Sequence, residues 1–365
     1  MVKTFFSIYY YKLGIFHVKQ FLMMLLAVLL CSLPVTASAK TVAKIGNKKY
    51  SSLEQAVKKV KKGQTIKLQS NVALSRFESI NLNRNTTYTI DFNKKKVSGG
   101  LGITVSKGKV TFKNGNVTNV ITVKKGSSLT IKSGTYQNLR NYGTTTITNG
   151  KLTNSKGIYG DVIENYNKLT IKKATIVCYS GFCLENSSKG TMIIRGGTYR
   201  NAKNKGSNIF QNLGKATVSG GTFTGSDKGI PLNNLGTITI SGGKFINPVG
   251  APNAYDPSQA YKHISNSGTM TIKGGTITAK KSSIAILSTG TLKISGGRIE
   301  SYAAKPKPFR ESSWNGAVAA YRGSLTITGG TIYSENGRGV EVSSGVTYSR
   351  TGGEIEAPYP GEEVA

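Results

Sequence analysis

Gly236-Thr237-Ile238-Thr239-Ile240-Ser241-Gly242-Gly243-Lys244-Phe245 carries the pattern from which most of this chain is built. It returns at Gly190 to Tyr199, Gly214 to Phe223, Gly268 to Ile277, Gly290 to Ile299 and Gly323 to Ile332. Weaker copies begin at Gly108, Ser127, Gly143 and Asn167, and a degenerate one ends at Ile355.

Taking the second glycine of the pair, or its equivalent, as a ruler gives positions 115, 134, 150, 174, 197, 221, 243, 275, 297, 330 and 353. The gaps are 19, 16, 24, 23, 24, 22, 32, 22, 33 and 23. A repeat of that size is one supersecondary unit, too small to bury its own apolar face, so the units must stack into a solenoid. Leucine-rich repeats and a parallel β-helix both fit the period. Composition separates them: runs such as Ile238-Thr239-Ile240 and Leu325-Thr326-Ile327 alternate apolar and polar residues as strands do, and no helical stripe or leucine consensus lies inside the unit. Glycine pairs are read as turns, because glycine alone reaches positive φ without steric cost. Each coil is therefore expected to hold one strand before the pair, a second after it and a third before the next copy.

Coils stacked in register bring equivalent residues to within about 4.8 Å of one another. The second-strand column then reads Val117, Tyr136, Leu152, Ile176, Tyr199, Phe223, Phe245, Ile277, Ile299, Ile332 and Ile355, a continuous apolar core. Two residues before each opening glycine or its equivalent stand Asn141, Asn165, Asn212, Asn234 and Asn266, and Asn186 joins them if its coil holds a two-residue bulge. Stacked asparagines at a tight bend bond to the coils above and below, satisfying polar groups that the bend would otherwise strand.

On this period, glycine-pair repeat and asparagine column, the chain from about Ala43 to Ile355 resembles the right-handed parallel β-helix proteins of the pectate-lyase-like superfamily, particularly glycine-rich secreted or surface proteins of low-GC bacteria. The resemblance implies an all-β, single-stranded, right-handed solenoid of about 11–13 coils, and the handedness comes from it alone. It carries little about activity.

Residues 1–39 read as a secretory signal peptide: Lys3, Lys12 and Lys19 without acidic partners, an apolar run from Phe21 to Leu33, then Ala37-Ser38-Ala39. Residues 40–355 form the solenoid domain, whose first part, about 40–64, is a cap. There Ser51 and Glu54 suggest a capping box, with Leu53, Ala56, Val57 and Val60 on one helical face before Gly63. Ile66 and Leu68, then Ile90 and Phe92, mark the first two coils. Residues 356–365, with Glu356, Glu362 and Glu363, read as a frayed acidic tail. No apolar run is long enough to span a bilayer.

Cys178 and Cys183 are expected either to bridge across one turn or to remain two buried thiols. The two long gaps each insert about ten residues at the same corner, in coils separated by one ordinary coil. These loops and their borders hold Tyr255, Tyr261, His263, Tyr302, Lys305, Lys307, Phe309, Arg310 and Trp314. Aromatics beside cations make a platform for sugars or anionic polymers, and loops packed on the flank with solvated lysines explain the same residues.

The net charge is +33, from 49 basic and 16 acidic residues. Outside a cell such a coat draws anionic polysaccharide, teichoic acid or another acidic surface polymer, in a salt-sensitive way; specific nucleic-acid binding is not expected. The enzyme alternative is a lyase or glycoside hydrolase acting on an acidic glycan. Polygalacturonase-like hydrolases need clustered aspartates and a Gly-His-Gly element, and neither occurs. Lyases need an acidic calcium site and a basic residue, for which Asp161, Glu164 and Glu185 are the only acidic grouping, with Lys168, Lys189 and Arg195 near in sequence. No catalytic set is complete, no metal site is expected otherwise, and calcium enters only with the lyase. The expectation is a secreted or cell-surface bacterial binding or adhesion protein, monomeric and without a cofactor.

Overall fold

The computed structural model describes residues 18–20, 23, 40–154, 160–202, 208–226, 229–248, 264–281, 284–302 and 316–359. The chain divides into Met1–Lys40, of which residues 18–20 and 23 are helical, and Thr41–Ala365. Among the described residues no helix is long and apolar enough to cross a membrane. The expected leader lies almost wholly outside the described residues, as do Tyr255, Tyr261, His263, Lys305, Lys307, Phe309, Arg310 and Trp314, whereas Tyr302 is described.

The second unit is a right-handed parallel β-solenoid of about 11 turns. Twelve parallel strands form one sheet, from Ser79–Leu82 to Arg338–Val342, each pairing with its equivalent in the next coil. A 23-stranded sheet carries the remaining strands, including those before and after each glycine pair. The two belong to one sheet because, towards the C-terminus, the pair does not end a strand. Thr237–Asn247, Thr269–Ala279, Thr291–Ser301 and Ser324–Ser334 each run through it unbroken, with a register shift at the glycines such as Ser241 opposite Gly274. The expected two-strand turn is thus a bulged bend in those coils and a true break only in earlier ones, as between Lys168–Ile171 and Thr175–Cys178. Gly275 illustrates why glycine is needed: its φ is +89°, and a Cβ there would lie 2.8 Å from the Gly243 carbonyl oxygen.

The apolar column stacks in the expected register, Val117 on Tyr136 on Leu152 through to Ile332 on Ile355. The rings of Tyr199, Phe223 and Phe245 stack nearly parallel with centroids 4.4 and 4.5 Å apart, each contact adding roughly 0.5–1.5 kcal/mol beyond burial. The two tyrosines of this column keep their hydroxyls satisfied within the bend: Tyr136 donates to Ser133 O and Tyr199 to Gly196 O, both at 2.7 Å.

The six asparagines are buried and linked Nδ2 to Oδ1 in one direction, Asn141 to Asn165, Asn186, Asn212, Asn234 and Asn266, every link 2.8 Å. Hydroxyls close both ends. Thr145 Oγ1 donates to Asn141 Oδ1 at 2.8 Å, and Ser288 Oγ accepts from Asn266 Nδ2 at 3.0 Å. This accounts for Thr145, a buried polar residue in a strand column otherwise filled by Leu129, Leu169 and Met192.

At the N-terminus, Ala43–Ile45 pairs antiparallel with both Lys48–Tyr50 and Thr65–Leu68, so a strand as well as a helix blocks the first coil's open edge. The helix is Leu53–Lys59, and its N-cap is Ser52, one residue later than the motif suggested: Ser52 Oγ accepts from Gln55 N at 3.1 Å, while Ser51 Oγ donates to the Gln55 side chain. Leu53, Ala56, Val57 and Val60 are buried. Near the C-terminus, Glu356 belongs to the strand Glu354–Glu356, and Tyr359 bridges to Arg338, so the early tail is part of the solenoid.

Candidate functional site

The twelve-stranded face brings the acidic group together. Its short strands place one outward residue on either side of each ladder asparagine, and the preceding position reads Arg140, Glu164, Glu185, Gln211 and Asn233 in successive coils. Glu164 is held by Arg140, with Nε to Oε1 at 3.0 Å, and by the Tyr166 hydroxyl at 2.9 Å. The hydrogen bond to Glu164 raises the Arg140 pKa further above its usual value. Partial burial, then the bond to Glu164, raises that of Tyr166. The rings of Tyr142 and Tyr166 stack at 4.5 Å and 7°.

Asp161 precedes the Glu164 strand and reaches across to the next coil. It accepts from Phe182 N at 2.7 Å, and its carboxyl faces that of Glu185 closely enough for the two to share a proton. That sharing, then burial and the charges of Asp161 and Glu164, push Glu185 up to about 7. The loop supplying Phe182 is closed by a Cys178–Cys183 disulfide with Cα atoms 5.1 Å apart. Asp161, Glu164 and Glu185 are therefore neighbours. Their basic partner is Arg140, whereas Lys168 opens a strand of the other sheet and Arg195 follows one. Arg140, Tyr142 and Tyr166 were missed because their signal is the pair of residues flanking each ladder asparagine, a column rather than a linear motif.

Glu164 is engaged by Arg140 and Tyr166, and Asp161 accepts from Phe182 N. Among the described residues no group of three or more His, Cys, Asp and Glu is arranged to hold a metal.

A second feature lies at the roots of the two insertion loops. The strands Thr237–Asn247 and Thr291–Ser301 end at equivalent positions with Thr269–Ala279 between them, so both loops leave one corner two coils apart. Beside these strand ends runs an open groove of about 670 Å³ lined by Lys244, Ile246, Thr278, Lys280, Glu300 and Tyr302. Glu300 in its lining is held by Arg298, which bonds Glu300 at 2.8 Å and Glu356 at 3.2 Å and lies 5.6 Å from the Tyr333 ring centroid. Tyr333 contacts Tyr302 at 5.3 Å.

No family model, curated protein or solved structure matches this chain.

Proposed function

We propose that this protein is an exported bacterial binding or adhesion protein whose rigid solenoid attaches to anionic surface polymers such as teichoic acid or an acidic polysaccharide. The observation that carries this reading is the charge distribution. Against 49 basic and 16 acidic residues, four ion pairs join described residues to one another, made by Lys113, Arg140 and Arg298. Lys132, Lys151, Lys172, Lys215, Lys244, Lys273 and Lys293 are exposed along the coils. A stiff rod presenting cations at coil spacing engages a polyanion at many points, so affinity is multivalent and ionic. The resemblance to pectate-lyase-like β-helix proteins and the signal-like leader support export and surface location.

The test is a pull-down of purified protein with teichoic acid and polyuronates across a salt series. Retention at low salt that falls steeply towards about 0.5 M salt supports the reading, because exposed charges are then screened within a few ångströms. Absence of binding, or binding indifferent to salt, overturns it.

A second reading, cleavage of an acidic glycan, is favoured by the Asp161–Glu185 pair, which holds a proton near neutral pH as a general acid does. Unsaturated or reducing-end product from any of these polymers, abolished in Glu185→Gln, would establish it over simple binding.

A further inference from the structure

The row one residue beyond the asparagine ladder reads Tyr142, Tyr166, Ser187, Leu213 and Leu235. Backbone bonds hold these residues in step: Tyr166 N to Asn141 O, Ser187 N to Asn165 O, Leu213 N to Asn186 O and Leu235 N to Asn212 O, at 2.8–2.9 Å. The large members face solvent, Tyr142 by 39%, Tyr166 by 37%, Leu213 by 36% and Leu235 by 48%. Ser187 is the one small rung between large ones, since the sixth member, Ser267, ends the row beyond Leu235. Its turn, Ser187 to Gly190, is two residues longer than its neighbours and carries the exposed Ser188 and Lys189.

Adjacent rungs stand about 4.8 Å apart, so Tyr166 and Leu213, two steps apart, lie roughly 10 Å from each other. Tyr142 already covers one face of Tyr166 in a near-parallel stack. The other face looks along the row over Ser187 towards Leu213. The serine thus leaves the interval between the Tyr166 ring and the Leu213 side chain without a large side chain from the row, with Ser188 and Lys189 of the longer turn beside it. Along one side runs the polar row Glu164, Glu185, Gln211 and Asn233, each opposite the next in register. Asn233 Nδ2 donates to Gln211 Oε1 at 3.4 Å, and Glu164 is anchored by Arg140 and Tyr166. The row therefore offers carboxyl and amide groups on rigid strands.

We propose that this interval binds a neutral pyranose, entering as a terminal or branch residue of a glycan, with its C–H face against Tyr166 and its hydroxyls bonded to Glu185 and Gln211. Three observations select that chemistry. A ring of carbons with hydroxyls at its rim matches apolar side chains flanked by a hydrogen-bonding row. Asp161, Glu164 and Glu185 gather beside one arginine in a chain otherwise strongly basic, which disfavours the acidic polymers drawn to the rest of the surface. The slot is one rung wide between Tyr166 and Leu213, which suits a single ring and not a continuous chain laid along the row. This site is separate from the groove lined by Lys244 and Tyr302 and from any need for catalysis, and the turn beside it carries one exposed lysine, Lys189.

The experiment titrates the full protein with methyl glucoside, methyl galactoside, methyl mannoside and methyl N-acetylglucosaminide, followed by saturation-transfer NMR and calorimetry. The proposal expects millimolar binding of at least one, weakened at least tenfold by Tyr166→Ala. Ser187→Leu supplies the missing rung and is expected to abolish binding while leaving the urea midpoint unchanged or higher, which separates slot filling from unfolding. Retention of salt-sensitive teichoic acid binding by both variants would mark the two surfaces as independent. Binding unaffected by Ser187→Leu, failure of every glycoside to bind the wild type, or binding only of an aromatic probe such as indole would overturn it.

Discussion

Removing one amide from the middle of the asparagine ladder tests how the solenoid stays closed at its sharpest bend. In Asn212→Ala four contacts go: Oδ1 from Asn186 at 2.8 Å, and Nδ2 to Asn234 Oδ1 at 2.8 Å and to Gly214 O and Thr237 O at 3.2 Å. The damage is asymmetric. Asn186 Nδ2 keeps Gly190 O at 3.2 Å and Lys215 O at 3.1 Å, whereas Asn234 Oδ1 loses its ladder donor in a fully buried position. One orphaned buried acceptor, two weakened carbonyls and a small cavity together cost about 3–4 kcal/mol. The end of the ladder provides the control, since in Ser288→Ala the Asn266 amide still donates to Thr291 O at 3.0 Å, and the expected loss is about 1 kcal/mol. Asn212→Asp extends the test without changing volume, for its second oxygen faces three acceptors and must stay protonated. A carboxyl pKa raised by folding gives stability present in acid and lost as pH rises through the folded value, so this variant should weaken from acid to neutral pH. The assay is urea unfolding followed by circular dichroism, with hydrogen exchange to detect opening confined to the coils around Asn212, because a solenoid need not unfold as one unit. Equal losses in Asn212→Ala and Ser288→Ala would refute the reasoning.

Three further outcomes are expected. Glu185, raised to about 7, has a stabilising contribution that is complete below the ordinary glutamate pKa and is lost as pH rises towards and through 7; stability measured from pH 4 to 8 should fall over that window in the wild type and flatten in Glu185→Gln. Replacing Cys178 and Cys183 by serine opens a short loop and should cost about 2 kcal/mol on loop-closure entropy, and alkylation of the folded wild type should label no thiol at either position before reduction. Gly275→Ala meets a backbone oxygen at 2.8 Å in a left-handed conformation and should cost about 2 kcal/mol or more, against about 1 kcal/mol for Gly126→Ala, where φ is +81° with nothing within 4 Å.

The columns were legible because each is a repeated identity at a fixed place in the coil. Asn186 was placed despite its longer turn, and Val117 to Ile355 stacked without a slip. Two local features were not legible. A glycine pair signals positive φ equally well for a turn and for a bulge, so Gly242-Gly243 does not say whether the strand continues. Ser51 and Ser52 are both able caps, and only packing of Leu53 chooses. The acidic group was readable as spacing, since Asp161 and Glu185 lie one coil apart. Its tyrosine and arginine neighbours were not, because a stacked Tyr142–Tyr166 pair follows from register, which appears only once coils are superposed. The disulfide was open for the same reason: spacing of five residues allows a bridge and does not require one.

Uniform register also makes the length of this protein a quantised property. Removing Leu235 to Asn266 would shorten every column by one rung without mismatching any: Asn234 would pass its amide to Ser288, and Phe223 would lie over Ile277. The same edit takes out residues 249–263, and with them one of the two long loops. Gain or loss of whole coils, rather than of single residues, is the change this architecture absorbs most easily, so the length of its exposed lysine rows can vary in steps of about 4.8 Å while the chemistry of each rung stays as it is.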